Sequence, residues 1–465
     1  MISFFRINDP LRLFAILGII LLLSSIYWAV LAPPTTQPEM IWLIVGEKMA
    51  QGNLMYRDIL DDTGPLAAAT YWLLHIAFGK SLIAHKIIAG IILFVQIIYI
   101  NQLFNRYKSF DESTYVPAFV AGVLVHASFD LLSLSPALMG STFILFSLGQ
   151  LFSQTVLQKE GNDSVLLTGI FAGIALCFHF PLIFFLPYML FMGVIISGFT
   201  FKQILLSLTG YILPFLICST YYFWQDAFPD FLSKYILTSR NMDIYVHVRL
   251  RDTAILYAAP ILFSFLGVIL GSVIKSLTVN QQKQLQLMLL FFIFGAASFL
   301  LTNRRAPYQF VILLTPFAYF ISMLFLAFRK KTLTNGLSIS FITLVPLIGY
   351  GWLLVKTSQN SLDTYGVYSK EKHMIAKGKK VLVLGDDLAY YKNAKQVTPY
   401  LNFHLSKDVL SQSQKPKEIA LAYKNLRSEM PELIVDPEGI FEGFLKFAPT
   451  LKETYRKEGQ YFHLK

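Results

Sequence analysis

The chain has 465 residues, of which 55% are hydrophobic and only 14% are charged, and its mean hydropathy is +0.55. A soluble enzyme of this length needs roughly a quarter of charged residues to stay dispersed, so the composition excludes a soluble protein and predicts many membrane spans. The net charge of +11 does not indicate a nucleic-acid partner, because the basic residues lie in short clusters between apolar runs, as they do in membrane proteins.

The apolar runs predict a polytopic all-α membrane protein with about 11 transmembrane helices. The predicted spans are residues 13–31, 83–104, 115–132, 137–157, 165–179, 182–200, 203–223, 253–274, 285–301, 308–328 and 337–355. The short pair 165–179 and 182–200 is joined through His179 and Pro181, and removing both would preserve the odd count. The segment 67–78 is too short to span, so we expect an interfacial or re-entrant helix there.

Charge gives the orientation of these spans. Arg6 and Arg12 place the N-terminus in the cytoplasm. With eleven spans, the later basic clusters fall on the same side, as the positive-inside rule expects: Arg106, Lys108, Lys159, Lys202, Lys275, Lys283, Arg329, Lys330 and Lys331. The odd count places the C-terminal segment on the outer side.

The polar stretches define the predicted domains. Residues 1–357 form a transmembrane domain with a first outer loop at 32–82, which carries interfacial helices, and a second outer loop at 224–253. The tail, residues 358–465, contains the apolar runs KKVLVLGDD, PELIVD and QYFHLK, separated by segments of helical spacing. The tail therefore predicts a soluble, extracytoplasmic α/β domain large enough for its own core. The cysteines, Cys177 and Cys218, lie inside apolar runs and are interpreted as small hydrophobic residues.

The first outer loop is rich in acids, and Glu39 is the first of them after the first span. A carboxylate at the outer membrane surface can take a proton from an acceptor hydroxyl or amine and so activate it as a nucleophile. The alternative is structural, because Thr36-Gln37-Pro38-Glu39 matches a capping box that opens a helix from Glu39 to Gln51. The two roles are compatible.

Three further acids, Asp58, Asp61 and Asp62, lie within five residues of one another. Such a group could hold a divalent cation through oxygen, or bind a sugar by its hydroxyl groups. Alternatively, Asp62 or Thr63 caps the helix that starts near Pro65, and Asp61 is solvated. Because capping needs only one acid, we expect at least one of the three aspartates to act in function.

Paired arginines, Arg304 and Arg305, lie at the outer end of the ninth predicted span, where the positive-inside rule disfavours them. Arginine suits bidentate contact with phosphate, so this pair could hold a lipid-linked phosphate. The alternative is that both side chains reach ordinary anionic headgroups. Arg249 and Arg251 in the second outer loop are a second candidate for the same task.

Three stretches resemble the membrane glycosyltransferases of the GT-C superfamily, especially the bacterial relatives of protein mannosyltransferases and the lipid A aminoarabinose transferase. They are EMIWLIVGEKMAQGNLMYRDILDDTGPL, AFGKSLIAHKIIAGII and NRRAPYQFVILLTP, which resemble the first loop, the second span and the entry to a late span of that family. The resemblance implies transfer of a sugar from a polyprenyl-phosphate donor to a lipid, glycan or protein acceptor, at the outer face of the bacterial cytoplasmic membrane.

The resemblance also implies roles for particular residues. Glu39 matches the glutamate of the family's acidic pair and would be the general base. The preceding residue is Pro38 where many relatives have Asp, so Asp58, Asp61 and Asp62 remain alternatives for the base. For the lipid phosphate, the candidate residues are Arg304, Arg305, Tyr308, Arg57 and Arg249. The rival functions are a lipid or glycan transporter or flippase, and a non-catalytic membrane assembly protein.

Overall fold

The computed structural model describes residues 2–157, 161–238, 242–328, 330–362, 365–411 and 416–465. Of the basic residues that set the predicted orientation, Lys159, Arg329 and the side chain of Lys331 lie outside the described residues. The chain divides into two compact units. The first unit is Met1–Pro33, His85–Cys218 and Val246–Gln359, and the second unit is Pro34–Ala84, Ser219–Tyr245 and Asn360–Lys465. The second unit thus groups most of both predicted outer loops with the tail.

Within the described residues, seven helices are long and apolar enough to cross a membrane. They are Arg12–Leu31, Leu82–Arg106, Pro136–Thr155, Phe201–Trp224, Val279–Leu301, Pro307–Ala327 and Thr332–Ser358. The pair Leu250–Leu256 and Ala258–Ile274, bent by 58°, makes an eighth candidate if it counts as one span. A mostly helical architecture with seven or eight candidate membrane spans is confirmed, while the count of eleven stays a prediction.

The other three predicted spans correspond to shorter helices. They are Val116–Leu124, Asn162–Phe178, and a 3-10 turn at Phe180–Phe184 that runs into Phe185–Ile195. The helix of the predicted span 115–132 ends at Leu124, and side chains in the segment that follows it bond locally. The Ser128 hydroxyl donates to Asp130 Oδ1 at 2.6 Å, and the Ser133 hydroxyl donates to the Asp130 carbonyl at 2.5 Å. Such bonds compete with helical backbone bonds.

The second unit has a helical part and a sheet. The helices Gln37–Ala50 and Pro65–Phe78 pack closely, with the Trp42 and Tyr71 rings stacked at 5.8 Å. A Cβ atom at Gly46 would lie 2.6 Å from the Tyr71 carbonyl oxygen, so only glycine permits this approach. The helix Pro65–Phe78 has 14 residues, which agrees with the prediction of a helix too short to span at 67–78.

The tail forms a five-stranded sheet, and the three apolar runs noted in the sequence supply three of its strands. In spatial order the strands are Lys395–Gln396, Lys380–Val383, Leu433–Val435, Tyr461–Leu464 and Tyr455–Glu458. The first three are parallel, and the last two pair antiparallel. The helices Phe403–Ser411, Pro416–Glu429, Ile440–Phe444 and Pro449–Thr454 accompany them. The core contains Leu382, Leu426, Ile434, Phe441 and Phe462.

Several short elements complete the described chain. A two-residue strand, Thr35–Thr36, pairs antiparallel with Gly366–Val367. The remaining short helices, turns and strands are Ile2–Phe5, Phe228–Phe231, Leu232–Ile236, Tyr245–Val246, Phe299–Leu301, Arg304–Arg305, Pro307–Leu313, Glu371–Ala376 and Leu388–Lys392.

Candidate functional site

Glu39 takes part in the capping box predicted from the sequence. Its backbone N–H donates to Thr36 Oγ1 at 3.4 Å, and its Oε2 accepts the Thr36 N–H at 2.9 Å. The helix begins at Gln37, two residues earlier than predicted, because Pro38 fits the first turn, where a backbone N–H has no helical partner. The carboxylate is 3% exposed. The cap engages Oε2 and thereby fixes the orientation of the side chain.

The backbone around this cap is held by the tail. The Gln37 N–H donates to the Tyr365 carbonyl at 2.8 Å, next to the pairing of Thr36 with Gly366. The position of Glu39 therefore depends on a segment more than three hundred residues away in sequence.

The Asp58 side chain bonds to residues close to it in the chain. Its carboxylate accepts the Leu54 N–H at 3.0 Å and pairs with the Arg57 guanidinium at 3.1 Å. Burial acts to raise the pKa of Asp58, but the hydrogen bonds from Arg57 and the Leu54 N–H, with the charges of Arg57 and Lys48, outweigh it and lower this pKa. Arg57 also donates to the Gln225 carbonyl at 3.0 Å. Both side chains therefore stabilise the loop, and Arg57 is half exposed rather than enclosed.

Tyr56 anchors the turn that precedes the aspartates. It is fully buried with φ of +69°, a left-handed conformation that is uncommon for a bulky residue. Its hydroxyl donates to the Thr63 carbonyl at 2.7 Å, and its own carbonyl accepts from Lys234 Nζ at 2.6 Å. The ring packs against Tyr222 with centroids 5.1 Å apart. These contacts fix both ends of the segment that carries the aspartates.

Asp61 is completely buried and accepts three hydrogen bonds. Oδ2 accepts the Thr63 N–H at 3.1 Å and the Thr63 hydroxyl at 2.5 Å, while Oδ1 accepts Asn402 Nδ2 at 3.1 Å. Two backbone bonds support this contact, from Asn402 N–H to the Leu60 carbonyl and from Leu60 N–H to the Pro399 carbonyl. The interpretation of Asp61 as a solvated residue is wrong, because the tail covers it.

Asp62 is half-buried, next to Asp61. The following helix, Pro65–Phe78, is N-capped by Gly64, which has no side chain, so the interpretation of Asp62 or Thr63 as its cap is wrong. In the described part of the chain, no three His, Cys, Asp or Glu side chains are grouped to hold a metal ion. The structure therefore does not bring Asp58, Asp61 and Asp62 together as one set of cation ligands.

Lys48 is a buried residue of the same unit that sequence reasoning missed. Its Nζ donates to the Thr398 carbonyl at 2.5 Å, and the side chain is 4% exposed. Burial lowers the pKa of Lys48 to about 8, although the charges of Glu429, Asp58 and Glu47 act to raise it. No local pattern distinguishes this lysine in the sequence from a solvated one at a helix end.

Four of the five predicted phosphate-binding residues lie in the first unit, and Arg57 lies in the second. Arg304 is 5% exposed, so it is enclosed by protein, which disfavours the headgroup alternative for this side chain. The backbone carbonyl of Arg305 accepts hydrogen bonds from the His247 and Val248 N–H groups at 3.0 and 3.2 Å. The guanidinium of Arg305 lies 5.8 Å from the centroid of the Phe299 ring. Arg249, by contrast, is exposed at the start of the helix Leu250–Leu256.

Asp130 is a second residue that the sequence reasoning missed. It is 1% exposed, and its Oδ2 accepts the backbone N–H of Tyr308 at 3.0 Å. The neighbouring Pro307 carbonyl accepts the Tyr257 hydroxyl at 3.1 Å. Asp130 therefore fixes the segment that follows the two arginines. It is the only acid in the predicted span 115–132, and an ionisable residue within a span is a functional candidate by default.

The candidate residues thus form two groups. Glu39, Arg57, Asp58, Asp61 and Asp62 belong to the second unit, and the first unit holds Arg249, Arg304, Arg305 and Tyr308. Hydrogen bonds order the backbone in both groups.

No protein-family model and no curated protein matches the sequence, but solved structures match the fold. ArnT from Cupriavidus metallidurans bound to undecaprenyl phosphate matches with a TM-score of 0.58 and 10% identity, over 96% of this chain and 97% of that chain. The archaeal oligosaccharyltransferase AglB from Archaeoglobus fulgidus, in complex with an inhibitory peptide and a dolichol-phosphate, matches with a TM-score of 0.54 and 11% identity. That match covers 98% of this chain and 75% of AglB.

The apo form of the Archaeoglobus fulgidus oligosaccharyltransferase matches with a TM-score of 0.52 and 10% identity, over 95% of this chain and 72% of that chain. At these identities the likeness concerns the fold. AglB and ArnT are both GT-C membrane glycosyltransferases. The resemblance noted in the sequence is confirmed at this level: the chain has the fold of the GT-C superfamily of membrane glycosyltransferases.

Proposed function

We propose that this protein is a glycosyltransferase that moves a sugar from a polyprenyl-phosphate donor to a lipid, glycan or protein acceptor at the outer face of the bacterial cytoplasmic membrane. The observation that carries the proposal is the match of nearly the whole chain to GT-C structures, one of which was solved with undecaprenyl phosphate and another with a dolichol-phosphate. The acidic first outer loop supports it, because its carboxylates are held in fixed positions by buried hydrogen bonds.

The reaction needs one base and one cationic group. The base removes a proton from an acceptor hydroxyl or amine, which attacks the anomeric carbon, and the bond from that carbon to the phosphate oxygen breaks with inversion. The lipid phosphate leaves with the bonding electrons. Because a phosphate is a good leaving group, no separate general acid is required. A guanidinium that binds the phosphate stabilises the charge that develops on it as it departs.

The base is assigned among Glu39, Asp61 and Asp62. Asp58 is the weakest of the four acids for this role, because its carboxylate holds a turn and an ion pair. Asp61 uses both oxygens to accept bonds from Thr63 and Asn402, so its role is to orient the loop around Asp62. Asp62 is half-buried and more accessible to an acceptor. Glu39 is the alternative base, because it matches the glutamate that acts as base in the GT-C glycosyltransferases that the sequence resembles.

Arg304 is the main candidate for the lipid phosphate, with Arg305 and Tyr308 beside it. A buried guanidinium contacts phosphate in a medium of lower dielectric constant than water, which strengthens the interaction. Asp130 sets the backbone at Tyr308, and the backbone N–H groups of His247 and Val248 hold Arg305. Arg249 and Arg57 are exposed and are secondary candidates.

The rival function is lipid or glycan transport without chemistry. Asp130 is the observation that favours it, since transporters keep ionisable residues within their spans. Its carboxylate, however, accepts bonds from Ser128 and the Tyr308 N–H, which is a structural use. Incubation of the purified chain with a polyprenyl-phosphate sugar and an extract of native membranes that supplies the acceptor separates the two functions, because only a transferase raises the release of free polyprenyl phosphate above that of the extract alone.

Mutagenesis tests the assignments. Glu39→Gln, Asp61→Asn and Asp62→Asn are each measured for glycan transfer with the native donor, and we expect at least a hundredfold loss in the variant that lacks the base. Arg456→Ala, an exposed strand residue of the tail, serves as the control. Wild-type rates in all three acid variants would show that the first outer loop is not catalytic. Arg304→Ala and Arg305→Ala should weaken donor binding, and unchanged donor affinity in both would contradict the phosphate assignment.

A further inference from the structure

Two helices of the first unit, Asn162–Phe178 and Phe201–Trp224, pack with their backbones in contact. A Cβ atom at Gly169 would collide with the Ser207 carbonyl, and one at Gly173 would collide with the Tyr211 carbonyl. On the partner helix, a Cβ at Gly210 would lie 2.5 Å from the Leu166 carbonyl oxygen. Small residues spaced by four allow helices in membranes to approach this closely.

These contacts also fix the direction and register of the pair. Gly169 lies at Ser207 and Gly173 lies at Tyr211 and Pro214, so residue numbers increase together and the helices run parallel. Residues four positions further along occupy the same face of each helix. From Gly173 and Pro214, that step leads to Cys177 on one helix and Cys218 on the other.

The side chains agree with the register. Both cysteines are buried, and their side chains are close enough to interact with each other. A disulfide requires Cα atoms about 4.4–6.8 Å apart, a separation that only closely packed helices provide. The glycine contacts supply that closeness one turn away. The interpretation of the two cysteines as independent small hydrophobic residues misses this pairing.

We propose that Cys177 and Cys218 form an intramolecular disulfide that ties these two helices together. Two S–H bonds break, one S–S bond forms, and two electrons with two protons pass to dioxygen, which is reduced to hydrogen peroxide. Dioxygen is apolar and enters the bilayer, so it reaches buried thiols that a charged oxidant does not. In the predicted topology, these helix ends face the outer side, where disulfides persist.

The bond would join the two helices near their C-terminal ends. Cys177 is one residue before the end of its helix, and Cys218 is six residues before Trp224, where the second helix ends. The disulfide therefore acts on the segments that connect these helices to Phe180–Phe184 and to the second outer loop. It does not depend on the proposed transferase activity.

The test uses the full chain purified in lipid nanodiscs. The protein is exposed to air with the copper–phenanthroline complex, an apolar catalyst of thiol oxidation by dioxygen. It is then denatured and labelled with a polyethylene-glycol maleimide. We expect the reduced wild type to carry two polyethylene-glycol adducts, one on each thiol. After oxidation it should carry none and still migrate as a monomer, and dithiothreitol should restore both adducts. Cys177→Ser and Cys218→Ser should each keep one adduct under all conditions.

A shifted pair provides the matched control. Cys218→Ala combined with Ile217→Cys moves the second thiol about 100° around the helix to an exposed position. This variant should oxidise at least tenfold more slowly than the wild type. The proposal is overturned if the wild type keeps two adducts, if its adducts disappear only in a cross-linked dimer, or if the shifted pair oxidises as fast. The wild-type result decides the question even where the shifted variant fails to fold.

Discussion

The contact between Asp61 and Asn402 makes a quantitative prediction about how the tail supports the first outer loop. Asn402→Ala removes one hydrogen bond to a buried, charged acceptor, which contributes about 1.5–3 kcal/mol. Asp61→Ala leaves three buried donors without this acceptor, namely the Thr63 N–H and hydroxyl and Asn402 Nδ2. Each such donor costs about 1–3 kcal/mol, so we expect a loss of about 3–6 kcal/mol after partial relaxation.

The two substitutions should not be additive, because they remove the same bond. A double-mutant cycle should therefore give a coupling free energy of about 1.5–3 kcal/mol. The assay is native-state hydrogen exchange of peptides covering residues 58–66, which reports the local opening free energy of the loop. Asn425→Ala is the matched control, because this asparagine lies in the same tail and contacts the Tyr400 hydroxyl instead.

The outcome that refutes this reasoning is specific. If the coupling between Asp61 and Asn402 is below about 0.5 kcal/mol, the tail does not hold the acid in solution. If Asn425→Ala couples to Asp61 as strongly as Asn402→Ala does, the effect is a general loosening of the tail. In either case, the role of the tail in ordering the first outer loop must be abandoned.

Three other predictions follow from single contacts. Burial lowers the pKa of Lys48 from 10.5 to about 8. Between pH 8 and pH 10.5 the folded state therefore binds fewer protons than the unfolded state. The free energy of unfolding should rise with pH across that window by about 3 kcal/mol. Unfolding of Lys48→Met followed against pH should lack this rise, and a rise equal to that of the wild type would contradict the assignment. Glu39→Ala should lower the stability of the helix Gln37–Ala50 by about 1 kcal/mol in hydrogen exchange, whereas Glu39→Gln should preserve the cap. An equal loss of helix stability in the two variants would argue against the capping role. Arg304→Lys keeps the charge but loses the bidentate geometry, so the Kd for undecaprenyl phosphate should rise about tenfold in a direct binding assay, and an unchanged Kd would show that Arg304 does not contact the phosphate.

Local features of this protein followed from its sequence. The capping box at Thr36 and Glu39 was predicted because both partners lie within one helical turn. The short helix near Pro65 and the three apolar strands of the tail were predicted from apolar length, periodicity and turn residues. Hydropathy located the long spans, and sequence motifs indicated the GT-C fold, which the comparison with ArnT and AglB confirms.

The span count shows where local reasoning stops. Residues 115–132 have the hydropathy of a span, yet the helix ends at Leu124, and in the segment that follows it Ser128 and Ser133 donate hydrogen bonds to Asp130. Hydropathy averages over a window and does not register such bonds. In the same way, the cysteines were interpreted one at a time, although the glycine contacts of their two helices place them face to face.

The sequence by itself determined which segments are apolar, which helices carry caps and where acids and arginines concentrate, because each property depends on residues close in the chain. Only the tertiary structure decided what those groups contact. Asp61 is held by a residue 341 positions away, Lys48 by one 350 positions away, and Tyr308 by one 178 positions away. Periodicity carries no information about such pairs, since a buried acid and a solvated one look the same until the chain that covers them is in place.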